Sequence, residues 1–177
     1  CEDGSLALAP GTGHQWSPVA SLDVACVVFS HAVLNNHSLG GIDIDAAYLQ
    51  TKWPFQEEDV GKGRHFLRLQ KSIIEHLPTE WRKSAESMRE PVVMMKRAQY
   101  GHTKSAGLFI GELRAAMQRR GWVPLKSDPS IMRRGGTLCA TYVDDICAAG
   151  PKSEPERLWS ELAEEFEFQA PGLCNKF

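Results

Sequence analysis

Apolar and polar positions along this 177-residue chain follow two periods, and the changes from one to the other mark out its elements. From residue 17, "SPVASLDVACVVFSHAVLNN" sets Val19, Leu22, Cys26, Phe29 and Val33 at steps of three and four. That spacing predicts a helix burying one face, with Ser17 as N-cap and Pro18 at the first helical position. In "GGIDIDAAYLQ", Ile42 and Ile44 alternate with Asp43 and Asp45, which predicts a short strand. Residues 51–90 are the least periodic, although "HFLRLQ" reads as a strand and "PTEWRKSAESMRE" as a short polar helix. "VVMMKRAQYG" reads as a strand ending in a turn at Gly101.

Helical spacing returns from Ser105 to Arg120, where Phe109, Leu113, Ala116 and Met117 share a face and Gly121 supplies a stop. "SIMRRGGTLCATYVDDICAAG" then reads as a strand, a Gly135–Gly136 turn, and a second strand running into Asp144–Asp145 and onward. "SEPERLWSELAEEFEF" predicts a last helix with a capping box from Ser153 to Glu156 and a stripe of Leu158, Trp159, Leu162 and Phe166. Residues 1–16, rich in Gly, Pro and Ser, read as a loose lead-in. Helices alternating with hairpins predict an α+β fold, an antiparallel sheet with helices on one face.

Composition narrows the class. The chain is long enough for one core, 42% hydrophobic and 24% charged, and has no apolar run of about 20 residues, so no membrane partner is expected. Five cysteines (Cys1, Cys26, Cys139, Cys147, Cys174) form no CxxC, and reduced thiols in an intracellular setting are expected. Net charge is −2, yet residues 94–134 hold nine Lys/Arg against Glu112 and Asp128, whereas 151–170 hold six Glu against Lys152 and Arg157. Such asymmetry fits a surface facing a polyanion, or a solvated helix face. The histidines show no HxxxH or HExxH spacing, and neither GxSxG nor GxxxxGK[ST] occurs, which argues against zinc, serine-hydrolase and P-loop chemistry.

The adjacent acids in "CATYVDDICAAG" are the candidate chemistry. Asp is common in turns because it bonds nearby backbone N–H groups, and Asp144–Asp145 has that plain reading. The alternative is hard-oxygen ligation of Mg²⁺, two ions supporting phosphoryl transfer, with Asp43 as the third carboxylate.

"YVDD" at 142–145, with "DIDAAYL" from Asp43, resembles the two metal-binding motifs of reverse transcriptases, in particular the copia-type (Pseudoviridae) retrotransposon enzymes. "SPV" at 17–19, "KRAQYG" at 96–101, "GWVPLKSDPS" at 121–130 and the closing "FEFQAPGLCNKF" fall in that family's order. The resemblance covers residues 17–177. It implies a right-hand polymerase palm plus part of the fingers, with residues 51–103 as a fingers-like insert and the thumb and RNase H segments outside the chain. It also implies RNA-directed DNA polymerase activity with dNTP, and an RNA or DNA template with its primer as partners. By the same resemblance Asp43, Asp144 and Asp145 are catalytic and hold two Mg²⁺ ions, with Mn²⁺ as a substitute. Tyr48 stands at the ribose-discriminating aromatic and Tyr142 near the primer end, while Lys96, Arg97 and Lys104 are candidates for phosphate contacts. Asp45 is a peripheral acid, and Ile44 and Val143 are apolar neighbours.

The pattern departs from the family after Gly101, where "HTKSAGLF" puts Lys104 in place of a glutamine, Ala106 of a proline, Gly107 of an arginine and Phe109 of a tryptophan. A second reading therefore stands beside the first: a catalytically inactive remnant or interaction module that keeps the palm scaffold.

Overall fold

The protein is described by a computed structural model, which covers residues 20–54, 65–169 and 172–173. In chain order the elements are α1 (Leu22–Leu34), β1 (Ser38–Asp43), α2 (Ala47–Gln50), β2 (Phe66–Arg68), α3 (Lys71–Ile74), α4 (Thr79–Glu86) and β3 (Val92–Met94). Then follow α5 (Ser105–Arg119), β4 (Val123–Pro124), β5 (Ile131–Arg134), β6 (Thr137–Tyr142), β7 (Asp145–Gly150), α6 (Ser153–Leu162) and β8 (Gly172–Leu173). Six strands form one sheet in the order β4-β5-β6-β7-β1-β8, and every pairing in it is antiparallel. β2 and β3 form a separate two-stranded sheet within the 51–103 region. The protein is thus an α+β fold. Among the described residues no helix is long and apolar enough to cross a membrane.

Alternation of side chains along the central strands divides the core in two. Ile42, Met132, Cys139, Ile146 and Ala148 point to one side, where α5 and α6 bring Phe109, Leu113, Met117, Leu158, Leu162 and Phe166. Ala140, Ala149 and Ile131 point to the other, against Val24, Val28 and Ala32 of α1 and Ala20 just ahead of it. Both faces are therefore covered, not one. The hydrophobic strands already signal this: β6 and β7 are buried at successive positions, as strands packed on both sides must be.

α1 also presents a different face from the expected one. Its N-cap is Ser21, whose hydroxyl accepts from the Val24 N–H at 3.4 Å; Ser17, Pro18 and Val19 lie outside the described residues, as does the 1–16 lead-in. The stripe that packs is Val24, Val28 and Ala32, while Leu22 and Val33 of the expected stripe are each 80% exposed and Cys26 is exposed as well. An i, i+4 column of small and β-branched residues fits closely over a sheet carrying alanines, where larger side chains would not. The helix is apolar nearly all round, so period alone did not single out this face.

The last helix begins earlier than its capping box would have it. Glu154 N–H donates to the Pro151 carbonyl (2.8 Å), so Ser153 is already in the first turn and makes no side-chain cap. Its buried stripe, Leu158, Trp159, Leu162 and Phe166, is the expected one. Two glycines mark close approaches. A Cβ on Gly150 would collide with the Thr137 side chain, and one on Gly40 would lie 3.3 Å from the Trp159 indole nitrogen.

The basic and acidic segments of the sequence meet each other. Arg119 and Arg120 pair with Glu165 (2.6 and 2.5 Å), and Arg120 also pairs with Glu164 (2.8 Å). Arg134, largely buried with its guanidinium 4.8 Å from the Trp122 ring centroid, pairs with Glu161 (2.7 Å) and Glu154 (3.3 Å). Much of the charge asymmetry thus serves to fasten the end of α5 to the turn after α6, and strand β5 to α6 itself.

Candidate functional site

β1 and β7 lie side by side with Asp43 directly opposite Asp145. The partner of Asp145 across its other edge is Tyr142, so Val143 and Asp144 form a two-residue turn between β6 and β7. The Ile44 N–H donates to the Asp144 carbonyl (3.0 Å), which ties this turn to the end of β1. Directly opposed residues in an antiparallel pair have Cβ atoms about 4.5–5.5 Å apart and face the same side. Asp43 and Asp145 therefore stand together on the α1 face, with Asp144 at the adjoining tip.

The turn is strained. Val143 has a φ of +55°, a left-handed conformation that a β-branched residue rarely adopts. On the other flank Ala46, also left-handed at φ +46°, reverses the chain just after Asp45 and starts the short helix α2. Strain of this kind persists where surrounding structure over-determines it, and it clusters at functional sites. Nothing in the sequence pattern marks either residue, because neither Val nor Ala is a turn former.

The three carboxylates have no hydrogen-bond or ion-pair partner among the described residues. They do not cap their own turns, which removes the plain reading of Asp144–Asp145. Burial holds the Asp145 carboxyl above its ordinary pKa, and the negative charges of Asp144 and then Asp43 push it the same way. Asp145 and Tyr142 open onto a cleft of about 450 Å³ between the β6–β7 hairpin and the start of α1, lined also by Ser21, Leu22, Ala25 and Cys147.

Tyr48, on α2, reaches the site from the opposite side. Its ring packs on Tyr100 (centroids 4.7 Å) and edge-on to Phe109 (6.0 Å). Burial raises its phenol pKa, followed by the negative charge of Asp144 and then Tyr100. Asp43, Asp144, Asp145, Tyr142 and Tyr48 thus surround one turn. Asp45 stays peripheral, exposed and 3.5 Å from the Gln169 amide.

The three cations occupy other settings. Arg97 donates to the Gln50 carbonyl and lines a polar cleft shared with Asp45, Glu164, Glu165 and Glu167. Lys96 is exposed, and its carbonyl accepts from Trp53 N–H. Lys104 precedes α5, with its N–H donated to His102 Nδ1 (3.1 Å).

Among the described residues no three His, Cys, Asp or Glu side chains close around a single point as a ready-made metal shell. The donor set still suits Mg²⁺, which is commonly bound through one or two carboxylates and completed by substrate phosphates. A cation would also relieve the mutual repulsion at Asp145. No protein-family model matches the chain, and no curated protein matches it.

Proposed function

We propose that this chain is the palm and part of the fingers of a copia-type reverse transcriptase, an RNA-directed DNA polymerase that extends a primer 3′-hydroxyl with dNTP. The observation that carries this reading is the opposition of Asp43 and Asp145 across β1 and β7, with Asp144 at the joining turn. Carboxylates without partners among the described residues, held at a hairpin turn and open to a cleft, fit a site preorganised for a cationic ligand and phosphates. Two bound Mg²⁺ ions would lower the pKa of the attacking hydroxyl and stabilise the leaving oxygen. Asp43, Asp144 and Asp145 would hold and orient that assembly. Tyr142, exposed on the rim of the cleft, is placed to support a primer end, and Tyr48, backed by Tyr100 and Phe109, would present a fixed ring edge to the sugar.

The second reading, an inactive remnant that keeps the scaffold, is favoured by Arg97. Its guanidinium is engaged by a backbone carbonyl and sits beside acids, not toward an open phosphate path. One experiment separates the two. Primer extension by the parent polypeptide with Mg²⁺ is expected to fall at least 100-fold in Asp144→Asn, given the usual cost of losing a charge-stabilising group. Equal rates in both would remove the catalytic reading. Template–primer binding without nucleotide addition in either would establish the remnant.

A further inference from the structure

Away from the acids, two histidines far apart in the sequence are joined. His102 Nε2 lies 3.0 Å from His65 Nδ1, and the two rings stand 4.8 Å apart, nearly perpendicular. Trp53 packs against both rings, at 4.8 Å from His65 and 4.6 Å from His102. His65 immediately precedes β2, and its carbonyl accepts from Met95 N–H (2.8 Å), so it belongs to the two-stranded sheet. His102 lies in the turn leading into α5.

The direction of the hydrogen bonds sets the protonation. The Lys104 backbone N–H can only donate, so His102 Nδ1 accepts and is bare. A neutral His102 then carries its proton on Nε2 and donates it to His65 Nδ1, which must also be bare. Adding a proton at His102 Nδ1 displaces the Lys104 N–H. Adding one at His65 Nδ1 sets two N–H groups head to head. The relay is complete only when both rings are neutral.

We propose that the Lys104–His102–His65 relay is an acid-released latch that fastens the β2–β3 sheet to the start of α5. The charged groups around it favour release in acid. His65 faces His102 from the β2 side and Lys104 from the α5 side, and burial and both of these neighbours lower the His102 pKa. Trp53, which packs against both rings, carries no charge. With the folded-state pKa depressed, the latch is fully effective above the ordinary histidine value of about 6.5, and its contribution falls as pH drops through and below that value.

Amide hydrogen-exchange protection factors read this directly. Between pH 7.5 and 5.5 the protection of Met95 N–H and the β2–β3 amides is expected to fall about tenfold, one proton being taken up over about one unit below 6.5. The β6–β7 amides should keep their protection. His102→Gln, whose amide can donate without titrating, and His65→Phe, which keeps the ring and loses the acceptor, should each flatten the response to less than twofold. No fall in the unaltered protein overturns the latch. So does a fall shared equally by β6–β7, or an undiminished fall in both variants.

Discussion

The two faces of the central sheet are covered differently. On one, α5 and α6 bring Phe109, Leu113, Met117, Leu158 and Leu162, all fully buried, and arginine–glutamate pairs tie β5 to α6 and the end of α5 to the turn after it. On the other, α1 lays Val24, Val28 and Ala32 over a surface of alanines and leaves a cleft at the end holding Asp145. Large side chains and fixed ion pairs make the first face a foundation. The second is thinly covered, so polar groups placed there can still reach solvent. A carboxylate cluster is tolerable on the open face because water and cations reach it, and it is held in register because the other face does not yield.

Truncating one buried side chain on each face should give the largest effect. Leu162→Ala is expected to cost about 3–4 kcal/mol, while Val28→Ala on the thin face costs about 1–2 kcal/mol, as smaller volumes leave smaller cavities. Denaturant titration of both variants reads the difference, and equal losses would contradict the division into foundation and cover.

Next in size is the ion-pair fastening. Arg134→Ala removes the more buried of the two arginines that pair with Glu161, and also the cation beside Trp122, for an expected loss of about 2 kcal/mol. Arg157→Ala, whose pair with the same Glu161 is largely exposed, should cost less than about 0.5 kcal/mol. Thermal unfolding of the two variants checks this contrast.

The smallest effect lies on the open face and has the opposite sign. Because Asp145 has a raised pKa, its charge opposes folding once both states are ionised, and the contribution is most favourable below the ordinary Asp value. Asp145→Asn should therefore stabilise the fold at pH 7 by a few tenths of a kcal/mol, discounted for solvent screening. This gain should vanish when pH falls below about 4, where the wild-type carboxyl is protonated in both folded and unfolded chains. Millimolar Mg²⁺ should narrow the gap at pH 7 by stabilising the unaltered protein alone. Chemical denaturation at the two pH values, with and without the ion, gives all four numbers.

Local pattern made much of this legible. Apolar runs broken by Gly135–Gly136 and by the two acids define the β5–β6–β7 meander. Spacing at three and four defines α5 and the buried stripe of α6. That Asp43 would lie near Asp144–Asp145 was expected from motif likeness and not from periodicity, and β1 does set Asp43 opposite Asp145. The packed face of α1 was not, because a helix apolar on all sides satisfies the helical period in several rotations, and only the alanines of β6 and β7 choose among them. Charge asymmetry was visible but its use was not: Arg119, Arg120 and Arg134 find their glutamates 20–46 positions away along the chain.

Local pattern carries the α+β character, most of the strands, and the prominence of two adjacent acids in an apolar run. Long-range packing sets the rest: helices cover both faces, Val143 and Ala46 adopt left-handed backbone beside the acids, and His65 meets His102. The reason is one of range. Periodicity records whether a residue faces an apolar or a polar environment, which is a property of its own neighbourhood in the chain. Which element supplies that environment, and what strain the surrounding packing can hold in place, depends on contacts between segments far apart in sequence.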